Sequence, residues 1–530
     1  MVVESLRVLG AGAVFGLPGI HALPIWEALR ESEILTYGFR TELSAGFAAV
    51  GCAEASGRRA PLLLSTGPGA LNSLTALMEA ASAHVPVVAI ATQIPSRLIG
   101  RGRGYLHELP DQRACFAPIV KWAATVTSAE QVADSIAEAW RRAAAPPSGP
   151  VYVEIPTDLL SAAAGEPEIR ELHGDAFLPP LPPAAVLVQA ARLLSTLPDP
   201  AILAGGGVLR SGAWQELAAL AERLAAPVAA TYMGKGAFPE DHPLAVGSSC
   251  DDRAFQELLS GAGVVLCVGT ELGAETTGQY QLKFSGRLIH VDADPTRISA
   301  TYPALGLVGD ARTILRELIR LVSARPRDGH GEARARGVRE RVRLGLDAHG
   351  RSVERRLLGA IRSALPREGL SVWDMTILGY WAAAHFPALE PRRFLYPLGS
   401  GTLGYAWPAA LGAKAALPDT PTLAVVGDGG FQYALAELLT ARQHRLAAKL
   451  LLIDDGGYGI LREYQRDAYG EVHGVDLVEP DFESLIAAFG VPVRTTTAGG
   501  IDADLAWALE VDGPAAIVLH EHLASAVSIP

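Results

Sequence analysis

Short apolar runs recur along the chain, each stopping at a small or polar residue. They are Ala13–Phe15, Leu62–Ser65, Val87–Ala91, Val151–Ile155, Ala201–Ala204, Val264–Val268, Leu288–Val291 and Leu370–Trp373. Such runs read as strands buried on both faces. The segments between them have helical character. Alternating strands and helices predict an α/β protein of doubly wound units, with mainly parallel sheets covered on both sides. The clearest unit lies at Thr422–Gly459. The apolar run Leu423–Val426 stops at Gly427-Asp428-Gly429, a helix is predicted from Phe431 to Arg445, and the run Leu450–Ile453 stops at Asp454-Asp455-Gly456-Gly457. In a strand–helix–strand unit the two strands are parallel, so their carboxyl ends share one sheet edge. Asp428 and Asp455 therefore face one crevice, where open α/β sheets bind ligands.

Three blocks follow from this pattern: residues 1–165, 184–323 and 352–530. The Pro-rich passage Leu178–Pro183 reads as an extended linker between the first two. The charged stretch Arg325–Arg343, ahead of the third, is predicted as a helix or a solvated connector. The first and third blocks have similar layouts.

Composition narrows the picture. A chain of 530 residues with 49% hydrophobic and 19% charged residues is that of a soluble protein with a large core. The net charge of −12, without a basic block, argues against nucleic acid. No apolar run reaches membrane-spanning length, and no basic region precedes an apolar segment at the start, so neither membrane nor signal peptide is expected. Cys52, Cys115, Cys250 and Cys267 are scattered without metal spacing, which predicts a reduced, cytoplasmic setting.

The candidate chemistry centres on the crevice. Two carboxylates among glycines suit a hard, oxygen-seeking cation such as Mg²⁺. A helix start after Gly430 suits a phosphate. GDG followed about two dozen residues later by an Asn-Asn pair is the metal–diphosphate signature of thiamine diphosphate enzymes, and this chain resembles that family over essentially its whole length. The resemblance implies a pyrimidine-binding, a central and a diphosphate-binding domain. It also implies thiamine diphosphate and Mg²⁺ as cofactors, with the metal held by Asp428, Asp455 and the carbonyl of Gly457. Gly427, Gly429, Gly430 and Tyr458 flank these ligands. Asp454-Asp455 replaces the usual Asn-Asn, adding negative charge beside the diphosphate.

Further residues fall on the same pattern. Glu42 opens a helix after the predicted strand Ile34–Phe39; by resemblance it hydrogen-bonds N1′ of the aminopyrimidine and so drives formation of the thiazolium ylid. Gly67 and Gly69, in Thr66-Gly-Pro-Gly69, resemble the loop near the pyrimidine, with Asn72 on the helix that follows. Gly401 and Leu403, in Gly399–Pro408, resemble the loop beneath the thiazolium, Leu403 supporting the bent cofactor. Asp374 and Thr376 fall where the family contacts the diphosphate. His21 and His107 lie in loops at strand ends and are candidates for proton transfer. FGLPGIH and GRGRGYLHELPDQ look most like the 2-ketoarginine decarboxylase branch and its acetolactate-synthase-like relatives. Leu461 stands where pyruvate-decarboxylase-type enzymes carry a glutamate.

The resemblance implies non-oxidative decarboxylation of a 2-oxo acid. The alternatives are carboligation, as in acetolactate synthase or benzaldehyde lyase, and a non-catalytic cofactor-binding paralogue. It further implies a homodimer or homotetramer with the site at the interface. Gly205–Gly207 and Asp292–Asp294 are weak hints of a nucleotide such as FAD or ADP in the central block.

Overall fold

The computed structural model describes residues 1–162, 179–348 and 350–525. Residues 163–165 of the first predicted block, Leu178 of the predicted linker and residues 526–530 lie outside the described residues. Among the described residues, eighteen strands form three six-stranded sheets. The first holds β1 (Ala13–Gly16), β2 (Leu35–Gly38), β3 (Ala60–Leu64), β4 (Val87–Gln93), β5 (Trp122–Thr125) and β6 (Val151–Pro156), in the order β2-β1-β3-β4-β6-β5. The second holds β7 (Pro200–Ala204), β8 (Val228–Ala230), β9 (Ala245–Gly247), β10 (Val264–Val268), β11 (Arg287–Asp292) and β12 (Leu305–Val308), in the order β12-β11-β10-β7-β8-β9. The third holds β13 (Leu370–Trp373), β14 (Phe394–Leu395), β15 (Thr422–Gly427), β16 (Lys449–Asp454), β17 (Val493–Thr496) and β18 (Ala515–His520), in the order β14-β13-β15-β16-β18-β17. All pairings between these strands are parallel, as the apolar runs predict. The first and third sheets share one strand order.

The predicted runs are strands because they are apolar at nearly every position. Residues 60–64, 87–93 and 264–268 are buried throughout. The sheets do not stand on separate cores. One apolar cluster joins the first and third through Phe47, Val50, Trp407, Leu411 and Val426. Another joins the second and third through Phe255, Leu259, Trp373 and Trp381. The helix Glu42–Ser56 crosses the helix Ala406–Ala416 at backbone contact. A Cβ on Gly51 would lie 2.0 Å from the Ala409 carbonyl oxygen, and one on Gly412 would lie 1.8 Å from that of Ala48. Only glycine fits there.

Two expectations are refined. The helix predicted from Phe431 to Arg445 is interrupted. Asp428–Phe431 and Glu437–Gln443 are helical, and the turns between them bond i to i−3, as Tyr433 N–H to Gly430 O and Glu437 N–H to Ala434 O. Gly429 and Gly430 weaken the first turn. Glu437 is drawn across to the Arg40 N–H of the first sheet unit. The charged stretch before the third block is the helix His330–Ala348, seated through Ala335, Val338 and Val342.

Glu54, at the end of the glycine crossing, accepts a 2.6 Å hydrogen bond from Tyr405 Oη. It borders a cavity of about 160 Å³, so its exposed part faces that cavity. Burial pushes its carboxyl up to about 7. Between the ordinary carboxyl value and about 7 the folded chain keeps a proton that the unfolded chain has lost. Stability therefore falls as pH rises through that window and is level above it. Glu54→Gln should flatten this slope and raise stability at pH 8 by roughly 1–3 kcal/mol. Urea unfolding at pH 5 and pH 8 measures it; an unchanged slope would assign the titration elsewhere.

Candidate active site

The first cluster is built where β2 and β3 end. Thr41 caps the helix that Glu42 opens, its hydroxyl accepting the Ser44 N–H at 3.1 Å. Glu42 is 7% exposed, and its Oε2 accepts from Asn72 Nδ2 at 3.2 Å. Its other oxygen lies against Gly69, where a Cβ would come within 3.1 Å of Oε1. Gly69 thus leaves that oxygen open, and Asn72, treated in the sequence as a plain helix residue or a site residue alike, anchors the carboxyl.

Gly67 has φ +63° and packs on the His107 loop, where a Cβ would meet His107 Cβ at 2.8 Å. Its N–H donates to Gln112 Oε1 at 2.6 Å. Gln112 is fully buried and donates in turn to Thr92 O, Tyr152 Oη and Glu154 Oε2. Sequence reasoning missed this amide. The only signal was its position directly after Asp111, the cap of a short helix. His21 and His107 meet edge to face with centroids 5.1 Å apart, and Tyr105 stacks on His21 at 6.1 Å. Each histidine has a buried Nδ1 without a partner. Burial, then the neighbouring His107, holds His21 below the ordinary imidazole value, so it is neutral near pH 7.

The second cluster lies at the carboxyl ends of β13, β15 and β16. Asp428 is 1% exposed. Its Oδ1 accepts from Gly429 N–H at 2.6 Å, and its Oδ2 accepts from Gly456 and Gly457 N–H at 2.8 and 2.7 Å. Gly457 has φ +140°, and a Cβ there would strike the Val475 carbonyl oxygen at 2.2 Å. Tyr458 lays its ring against Gly429. Thr376 caps the helix Ile377–His385 and faces Gly427, and the buried Asp374 faces Gly430. Burial pushes Asp374 up to about 6 against its backbone donors. Leu403 stands between Gly401 (φ +68°) and Gly404 (φ +77°). The loop before it is pinned by Glu79, which accepts from Gly399 and Ser400 N–H.

The carboxylates here differ from the motif in one respect. Oxygens of Asp428, Asp454 and Glu479 converge within 4.8 Å, whereas Asp455 stands beside that group. Asp455 is pushed up to about 7 by burial and by the charge of Asp428. Asp374 Oδ2, Asp455 Oδ1 and Glu479 Oε1 are buried without partners. Crowded acids with orphaned oxygens and a glycine-lined backbone fit a hard cation with a diphosphate. Neither Asp454 nor Glu479 was singled out as a ligand, because the motif names alternate positions and Glu479 arrives from a distant loop.

A separate cavity of about 440 Å³ opens at the ends of β7, β10 and β11. Gly206, Gly207, Arg210, Asp292 and Asp294 line it, so both of the weak nucleotide hints fall on one wall system. Among the described residues no helix is long and apolar enough to cross a membrane.

Comparison with known proteins gives three family matches in succession. Residues 1–115 match the N-terminal TPP binding domain of thiamine pyrophosphate enzymes, 187–318 the central domain and 374–519 the C-terminal TPP binding domain. The probable 2-ketoarginine decarboxylase AruI of Pseudomonas aeruginosa is 37% identical, covering 93% of this chain and 88% of its own. A probable acetolactate synthase large subunit of Methanocaldococcus jannaschii is 32% identical, covering 92% and 86%. The thiamine diphosphate-dependent 4-hydroxybenzoylformate decarboxylase of Rhodococcus jostii RHA1 superposes with a TM-score of 0.84 at 25% identity, over 99% of this chain and 98% of that one.

Gly67→Ala puts a methyl group into His107 and onto a disfavoured backbone conformation. The expected outcome is at least a tenfold loss of turnover with a destabilisation of about 1–3 kcal/mol. Paired kinetics and thermal melts check this; wild-type turnover would show that the His107 loop is not seated by Gly67.

Proposed function

The chain belongs to the thiamine pyrophosphate enzyme family, of decarboxylase and acetolactate synthase type, and on that premise we propose that it is a Mg²⁺-dependent 2-oxo acid decarboxylase whose site is completed by a second copy of the chain. The observation that carries the reading is Glu42, buried, anchored through one oxygen by Asn72 and open at the other beside Gly69. Thiamine diphosphate held there would supply a nucleophilic carbon for the 2-carbonyl and a sink for the electron pair left by CO₂. Glu42 holds a proton at its open oxygen and exchanges it with the aminopyrimidine N1′. Asn72 keeps the other oxygen fixed, so the carboxyl cannot swing away. Gly67 and Gly69 let the backbone come close on that side. Asp428, Asp455 and the Gly457 carbonyl hold the metal, with Asp454 and Glu479 as a negative rim. Gly427, Gly429, Gly430, Tyr458, Asp374 and Thr376 shape the diphosphate end, and Gly401 and Leu403 support the thiazolium. His21, neutral near pH 7, and His107 pass a proton at the product stage through their ring nitrogens.

On this reading residues 1–165 carry the pyrimidine end and 352–530 the diphosphate end, with 184–323 between them. The Glu42 end of one chain then meets the Asp428 end of another across the interface of a homodimer or homotetramer. The scattered free cysteines favour a cytoplasmic home. A second reading, carboligation, is favoured by Leu461, which is 44% exposed where an acid would protonate the product. An exposed leucine at that position offers no proton to a product, which would leave room for a second carbonyl compound to react.

Assay of CO₂, aldehyde and acyloin from a 2-oxo acid panel tests the reaction. The named activity of the Pseudomonas relative makes 5-guanidino-2-oxopentanoate the first compound to try. Glu42→Gln should lower turnover at least about 100-fold with cofactor affinity nearly intact. Near-wild-type turnover in that variant would remove the central claim.

Mixing inactive Glu42→Gln and Asp428→Ala chains should restore part of the activity, because one interface of the mixed dimer then holds both intact groups. Asp428→Ala alone should lose metal and cofactor together, measured by calorimetry. No recovery on mixing, with mixed dimers shown to form, would place both groups in one chain's site.

A further inference from the structure

The turn that carries Gly457 is strung between two groups of opposite charge. Gly456 and Gly457 adopt φ +84° and +140°, conformations that favour glycine. Their N–H groups donate to Asp428 Oδ2. The carbonyls of the turn go instead to Arg462. Its Nη1 donates to Asp455 O at 3.2 Å and its Nη2 to Gly456 O at 3.0 Å, while its Nε donates to Asp476 Oδ1 at 2.7 Å. Asp476 lies on the returning segment. That segment closes on the turn through Tyr458 N–H to Val475 O at 2.8 Å and Leu477 N–H to Gly456 O at 3.1 Å. One guanidinium thus ties together the turn, the returning segment and the helix Gly459–Tyr469. Its side chain is 13% exposed, in a helix that has no buried residue.

Charge gives Arg462 a second duty. Asp454-Asp455 stands where the resemblance expects two amides, and each added carboxylate has a basic partner in reach. Asp454 Oδ2 lies 2.8 Å from His520 Nδ1. Asp455 Oδ1 accepts no hydrogen bond and lies 4.0 Å from Arg462 Nη1. Burial and the Asp428 charge push the Asp455 carboxyl up, and Arg462 acts against both. A largely buried carboxylate beside another carboxylate is costly unless a cation balances it. Arginine suits the task, because its rigid fork donates to two carbonyls and still presents positive charge to a third group.

We propose that Arg462 is the positioning residue of the metal turn: it fixes the Asp455 and Gly456 carbonyls, so that the turn keeps its Gly457 edge for the metal, and it balances the charge by which Asp455 differs from an amide. This rests on the reading that Asp428, Asp455 and the Gly457 carbonyl hold the metal, and it adds a residue that acts through the turn. The second duty has its own signature. A guanidinium that only fastened the helix would be missed equally with aspartate or with asparagine at position 455. One that also balances Asp455 is missed less once that carboxylate has become an amide.

The test is calorimetric titration of Mg²⁺ into metal-free enzyme with excess thiamine diphosphate, beside thermal melts of the same proteins in chelator. Arg462→Gln should weaken Mg²⁺ binding at least about thirtyfold, as removal of one partner of a largely buried charge pair implies. Arg462→Lys keeps the charge but not the fork, and should recover only part of that loss. In the Asp455→Asn background the Arg462→Gln change should cost at least about fivefold less, the coupling of two neighbouring groups. Should the melts show Arg462→Gln unfolded, Arg462→Lys in the two backgrounds supplies the same comparison. Wild-type Mg²⁺ affinity in Arg462→Gln, or an equal loss in both backgrounds, would overturn the proposal. Asp428→Ala separates it from the metal reading. Loss of Mg²⁺ binding there, with wild-type affinity in Arg462→Gln, sinks this proposal alone. Wild-type Mg²⁺ affinity in Asp428→Ala sinks the metal reading and this proposal with it.

Discussion

The contact on which the rest of the molecule depends is the crossing of the helices Glu42–Ser56 and Ala406–Ala416. Gly51 and Gly412 bring the two backbones together at a distance that no side chain tolerates. One helix opens with Glu42, and the other follows the Leu403 loop, so the crossing sets the frame from which both clusters are hung. The shared apolar cluster forms around it, and Tyr405 and Glu54 close it on one side. Glu79 then ties the Gly399–Ser400 backbone to the first sheet unit. Rigidity of this kind favours a site whose groups must hold position without a cofactor to order them.

A second theme is unbalanced negative charge. Asp374, Asp428, Asp455 and Glu479 each carry a carboxyl in or near one crevice, and burial or mutual repulsion raises three of them. Buried acids are costly unless a partner arrives. The fold tolerates Asp428 because the backbone N–H groups of Gly429, Gly456 and Gly457 donate to its oxygens.

The predicted strands were legible because they are apolar at nearly every position; short or polar ones such as Trp122–Thr125 and Val493–Thr496 were not. The Asp428 and Glu42 positions were legible because spacing relative to a strand end is a local property. What escaped the sequence depends on distant partners. Gln112 matters through Gly67, Tyr152 and Glu154, and Glu479 matters only beside Asp428 and Asp454. Nothing local marks Gly51 as a contact point, because the Ala409 backbone it touches lies hundreds of residues away. The break between Phe431 and Glu437 escaped because helical propensity and pattern there are acceptable; the Arg40 N–H that claims Glu437 lies in another sheet unit.

The first and third sheets repeat one strand order, and β3 and β15 occupy the same seat in it. Each is followed by a glycine-rich loop that opens a one-turn helix, Pro68–Leu71 in one and Asp428–Phe431 in the other. One loop faces a histidine pair and a carboxyl acid; the other faces the carboxylates of Asp428, Asp454 and Glu479. The chain thus holds two castings of a single mould, finished differently at one corresponding edge. Their specialisation resides in a handful of loop residues, while the scaffolds beneath are interchangeable in plan.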